Sequence, residues 1–454
     1  MKLRTATLGS LVLASALAAG TAAVGPASAA PPGFRDVMWV GNNWAGTATI
    51  IDENSLEVLK SGVNLIPDKA QEMRDIRLSP VRLALFALVR QLPGEGHDQF
   101  VDDMFATPDG QHLAVSRPSF GDVVWIDVAK ATSTGGPDSI TREQSIDGYR
   151  TDHMAVSPDG RRLLVSDSTK RQVIEYSMVD ETVGSQQIKM GDRLRKFTSG
   201  ETPHESNYTA DGSKIFHASI GKVYTPLDNP AQPGHDAVKG DRWLQIVEND
   251  DFAITKRWQM GKELREAGHP GMSAAVRPMA LAPDERFLYF QVSYFHGIVE
   301  FDTQAPDVNN KVNYYMRGVP EASTGAVTRL IPLPKRTEAP LTKYVNDSAH
   351  HGLAMNEAGT TLCAAGTMDD YVALVDRTTG APTFFDAETT GHAYSKPYWS
   401  TEGLNNTCWI SLSETDSVAV IDFDTQQELA YLPVGDHPQR VRHGLVPEAV
   451  AATW

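Results

Sequence analysis

Short apolar runs separated by one recurring polar phrase fill the chain. The phrase stands as Thr107-Pro-Asp-Gly110, Ser157-Pro-Asp-Gly160, Thr209-Ala-Asp-Gly212, Ala282-Pro-Asp-Glu285, Asn356-Glu-Ala-Gly359 and Ser400-Thr-Glu-Gly403. A small residue followed by Pro-Asp-Gly is a tight turn, because Pro presets φ at the second position and Gly or Asp accepts the angles that follow. Apolar runs come next, as in Leu113-Ala-Val-Ser116, Leu163-Leu-Val-Ser166 and Leu288-Tyr-Phe-Gln291. Second runs then end on Asp52, Asp127, Asp302, Asp376 and Asp422. Each turn therefore joins two strands.

The phrases recur with a base period of about 45 residues, stretched at two places, which is the spacing of a four-stranded propeller blade. The first unit (37–41, 47–52 and 56–63) has only three strand-like runs, while Gln439 to Val446 reads as an innermost strand left over at the other end. Pairing the two ends closes the ring and removes free sheet edges. The expected fold is all-β, a seven-bladed β-propeller of four-stranded blades closed by its C-terminal strand. One insertion, 68–92, changes period: Met73, Ile76, Val81, Leu85, Leu88 and Leu92 recur at helical spacing, interrupted by Pro80. It predicts one or two short helices that pack on the disc or cap the channel.

Residues 1–29 carry Lys2 and Arg4, an apolar stretch from Leu8 to Ala19, and the small-residue pattern Ala27-Ser-Ala29. That is the pattern of a secretory signal peptide, so a secreted propeller of residues 30–454 is expected, with no membrane span and as a monomer. The formal net charge of −16 argues against nucleic acid as a partner and is compatible with a cationic ligand. Cys363 and Cys408 fall in the second strands of adjacent blades. Stacked sheets lie about 10 Å apart, which argues against a disulfide, although an oxidising compartment permits one.

In a propeller the innermost strands all start on one face, so the residues four and five positions before each turn ring the channel mouth. They are Asp102/Asp103, Asp152/His153, His204/Glu205, Arg277/Pro278, His351/Gly352, Ser395/Lys396 and, with looser register, Val441/Arg442. The candidate ligand-binding residues are thus Asp102, Asp152, His153, His204, Glu205, Arg277, His351, Lys396 and Arg442. Imidazoles and carboxylates converging on a concave site suit a small polar ligand, a protein partner or a His-rich transition metal. The metal version uses His153, His204 and His351 with His350, His392 or His437 as a fourth ligand, and copper, iron or zinc as the ion. Water-filled channels with polar mouths are also common in this fold, and the sequence leaves binding and catalysis both open.

Ser157 to Ser166, with Ser417-Val-Ala-Val-Ile-Asp422 and Leu432-Pro-Val-Gly435, resembles the YVTN-repeat family of seven-bladed propellers over essentially the whole mature chain. The resemblance implies fold. Its relatives span extracytoplasmic binding proteins, lactonases, amine-dehydrogenase heavy chains and His-ligated copper enzymes, so it implies either a secreted binding protein or an exported enzyme, a metal oxidoreductase or a metal-assisted lyase or lactonase. Blades four and five are longer than is usual in that family, and histidines stand where it has small or apolar residues. The chain lacks the appended cupredoxin domain of nitrous-oxide reductase, whose activity is not implied.

Overall fold

The recurring phrases hold themselves in place through their own side chains. Thr107 Oγ1 lies 2.6 Å from Asp109 Oδ1, the Gly110 N–H donates to the Thr107 carbonyl at 2.8 Å, and Gly110 takes φ +61°. Gly160, Gly212 and Gly359 are also left-handed, and at the fourth phrase Glu285 adopts φ 55°. The sixth phrase behaves otherwise. Residues 400–403 remain inside the strand Pro397–Gly403, and the reversal falls on Asn405 and Asn406, both left-handed at 57° and 54°. Asparagine tolerates that conformation, so the turn moves toward the C-terminus.

The computed structural model describes residues 30–91, 94–222, 239–268, 275–305, 325–344 and 348–454. The expected leader 1–29 lies outside them, as does the greater part of the long loop 222–241. Seven four-stranded antiparallel sheets form the ring. The innermost strands, from blade two to blade seven, are Met104–Ala106, Thr151–Val156, Pro203–Tyr208, Val276–Leu281, Gly352–Met355 and Pro397–Gly403. Blade one takes its inner strand from the C-terminus: Pro438–Pro447 pairs with Phe34–Asn42, setting Val441 opposite Val40 and His443 opposite Met38.

A buried apolar cluster fills each junction between neighbouring blades, including the closing one, where Met38, Val40 and Ile51 meet Trp399, Trp409 and Val418. The inserted segment forms two helices, Lys69–Leu78 and Pro80–Gln91, broken where the proline was expected to break them. Ile76 and Phe86 join the cluster between blades one and two, so the pair packs on the disc. Arg117 ties it down, donating to Asp68 at 2.6 and 3.0 Å and to Asp122 at 2.8 and 2.6 Å. Among the described residues no helix is long and apolar enough to cross a membrane.

The spacing argument fails for the cysteines. Cys363 and Cys408 are disulfide-bonded, with Cα atoms 6.6 Å apart. Blades are wedges around an axis rather than stacked parallel layers, so their second strands approach more closely than two flat sheets do.

Candidate functional site

Blades three, four and five start their inner strands irregularly, and the irregularity helps build the site. In blade three Thr151 pairs with Asp167 and Met154 with Val165, so Asp152 and His153 together face Ser166. Blade four sets His204 and Glu205 against Ala218, and blade five sets Arg277 and Pro278 against Gln291. Such bulges break strand alternation and re-aim side chains. Two successive polar residues can then serve one region of the axis.

His153, His204 and His351 meet there. Their rings lie 3.7 Å (153 to 204), 6.2 Å (153 to 351) and 6.0 Å (204 to 351) apart between centroids, and each ring offers a nitrogen within 4.8 Å of the others'. All three are buried, with exposures of 2, 3 and 2%. Burial, and then the neighbouring arginines, hold each well below the usual histidine range, so all three are neutral and keep lone pairs.

The outer nitrogens are anchored. Arg440 donates to Nε2 of His153, which places the ring proton on Nδ1, where Glu205 Oε2 lies at 2.5 Å. His351 Nδ1 donates to the Tyr398 carbonyl at 3.2 Å, leaving its Nε2 free for the centre, and the Tyr398 ring stacks on it at 4.2 Å. Nδ1 of His204 is buried with no hydrogen-bond partner. Burial pushes Glu205 up to about 8 against the pull of Arg442 and Arg440. Asp102 is also raised, by burial above all, and lies 3.3 Å from Arg440.

The remaining expected residues divide. Asp152 is salt-bridged to Arg150 and receives the Ser168 hydroxyl at 2.7 Å; Arg277 sits 4% exposed beside the triad, donating to Ser293 Oγ at 3.2 and 3.1 Å. Lys396 does not face the triad. Its Nζ pairs with Glu414 at 2.9 Å and Glu95 at 3.4 Å, because the displaced sixth turn moves the channel position of blade seven to Tyr398. Register likewise corrects the last strand: Arg440, not Arg442, contacts the triad, and Arg442 forms a two-pronged pair with Asp103 at 2.8 and 2.7 Å. Arg440, Tyr398 and Trp399 were missed, the last of these 5.6 Å from the His153 ring. Counting the register back from Asn405-Asn406 would have found the two aromatics.

His350 lies apart from the triad, on the bend that precedes the inner strand beginning at Gly352. It joins a separate cluster in which Asp369 Oδ2 lies 3.1 Å from His350 Nε2 and 2.5 Å from His296 Nδ1. The other proposed fourth ligands are also elsewhere. His392 is bound to Glu428 at 2.6 Å, and His437 stacks on Trp44 at 3.7 Å.

No protein-family model matches the chain, and no curated protein matches it in sequence. Solved structures do resemble it. A functionally unknown protein from Desulfotomaculum acetoxidans DSM 771 is 10% identical, covering 90% of this chain and 98% of its own, with a TM-score of 0.50. Virginiamycin B lyase from Staphylococcus aureus is 11% identical (73% and 83% covered, TM-score 0.46), and Kuenenia stuttgartiensis hydrazine synthase 13% (79% and 97%, 0.49). At these identities a likeness reaches no further than fold.

Proposed function

We propose that this chain is a secreted, monomeric propeller of the YVTN-repeat type that holds a transition metal on its axis through His153, His204 and His351. One observation carries the reading: three buried, neutral imidazoles from blades three, four and six bring ring nitrogens within 4.8 Å of one another. The donor set fits zinc, copper or iron. Carboxylate and backbone-carbonyl partners on the outer nitrogens, here Glu205 and Tyr398, are the usual means of orienting metal-binding imidazoles. Three protein ligands leave a position for a small molecule, and a bound metal supplies Lewis acidity to it. Such a centre serves ligand binding or a metal-assisted lyase or lactonase reaction.

A second reading, binding of a small polar ligand without metal, is favoured by Arg440, whose guanidinium occupies the same His153 nitrogen that a metal requires. Elemental analysis of purified protein after incubation with each ion separates the two. The metal reading expects one ion per chain, a melting temperature that falls with chelator, and loss of both in the double variant His204→Ala, His351→Ala. No stoichiometric ion, and no response to chelator, would leave the metal-free reading.

A further inference from the structure

We infer that the axial site takes a small oxyanion or carboxylate, gripped by Arg277 and Arg440 beside the histidine triad. The inference rests on the axial site proposed above and names its ligand class. The overall acidity of the chain is compatible with a cationic ligand, but that charge does not describe the axis. Four guanidiniums lie around the triad and they are not equivalent. Arg150 is matched by Asp152, and Arg442 by Asp103 in a two-pronged pair.

Arg440 and Arg277 are not matched in this way. Arg440 is 1% exposed, reaches His153 Nε2 and Asp102 through one terminal nitrogen, and leaves Nε and its other terminal nitrogen buried without a hydrogen-bond partner. Arg277 is 4% exposed and forms no ion pair among the described residues; Nε and one terminal nitrogen share the single oxygen of Ser293. Arg440 touches His153 directly, and Arg277 stands at the bulged start of the inner strand of blade five, between the blades that carry His204 and His351.

The chemistry follows from the donors. A guanidinium presents paired N–H groups in a plane that fits the two oxygens of a carboxylate or oxyanion, and burial strengthens the attraction. Buried donors without acceptors are rare in folded proteins, and Arg440 carries them at the edge of the triad. Asp102 Oδ2, on the carboxylate beside Arg440, is also buried without a partner and can accept from a protonated oxygen. Two arginines beside a metal would repel it, and an anion between them offsets that repulsion. Metal and anion should therefore bind with positive, reciprocal coupling.

The test is calorimetric titration of sodium formate into chelator-stripped and zinc-loaded protein, with zinc content measured separately. Wild type should bind formate in both forms, more tightly with zinc, and Arg277→Gln should weaken it by about tenfold in both while retaining zinc. Arg277→Lys, which keeps the charge and the fold but loses the fork, should fall between. If protein incubated with zinc retains none but binds formate in an Arg277-dependent way, the metal reading fails and the anion site stands. No formate binding by wild type at tens of millimolar, or equal binding by wild type and both variants, overturns the inference; formate bound only with zinc and indifferent to Arg277 does so too.

Discussion

Glu205 Oε2 lies 2.5 Å from Nδ1 of His153, and the two side chains come from neighbouring blades. The contact fixes the ring's tautomer and its aim. Partners of this kind are worth about 10–100-fold in metal affinity where they orient a ligand. Glu205→Gln, which keeps the volume but cannot ionise, should lower zinc affinity by that order in a competition titration above about pH 8, where the Glu205 carboxyl is charged, while leaving the circular dichroism spectrum unchanged. Unaltered affinity would mean that His153 is not a ligand or needs no orientation.

The Cys363–Cys408 bond closes a loop of 45 residues between two consecutive blades. Chain-entropy arithmetic for that length gives about 4 kcal/mol of stabilisation. The double serine variant should melt several degrees lower. Labelling of the unfolded, unreduced protein should find no free thiol, and two labelled cysteines would refute the bond.

His217 is enclosed between Ser199 Oγ at 2.7 Å and Ser206 Oγ at 2.9 Å, and burial pushes it down to about 3. An unfolded histidine titrates near 6.5, so below about pH 6.5 the unfolded chain takes up a proton that the folded chain refuses. Stability from this group is complete above that pH and falls by about 1.4 kcal/mol per unit on acidification toward pH 3. His217→Gln should therefore show a flatter decline in urea-unfolding free energy between about pH 6 and 4. Parallel declines would show that His217 protonates in the folded state.

Arg117 is fully buried between Asp68, which begins the helical insertion, and Asp122. Its replacement by alanine strands a buried carboxylate, a change that costs about 3–5 kcal/mol. Asp68→Asn should be far milder, because Asp122 still answers the guanidinium. The comparison of the two melting temperatures checks the order, and equal losses would place the anchoring on the helices' apolar face instead.

Much of the fold is legible because its turns are local. Five phrases carry their own capping oxygens and left-handed residue, so the strands on either side follow. The sixth misleads because Asn405-Asn406 supplies the left-handed residues two and three positions later than Gly403, and the displacement carries Lys396 out of the site and brings Tyr398 in. His153, His204 and His351 were found by counting back from sound turns. Arg440 was not, since the last strand has no turn phrase to count from. His350 was grouped with its neighbour by sequence adjacency, but it lies on the bend before the strand and its ring turns to Asp369. The disulfide depends on the wedge shape of the blades, a property of the closed ring that no local pattern encodes.

Arg440 and His153 stand 287 positions apart in the chain and touch on the axis. During synthesis the three histidines emerge first, and their guanidinium neighbour arrives on the final strand, after every other blade exists. The axial cluster is thus the last part of the molecule to become complete. A ligand held by Arg440 together with residues of the earlier blades would act as a clasp across the seam, slowing its opening in proportion to its own occupancy.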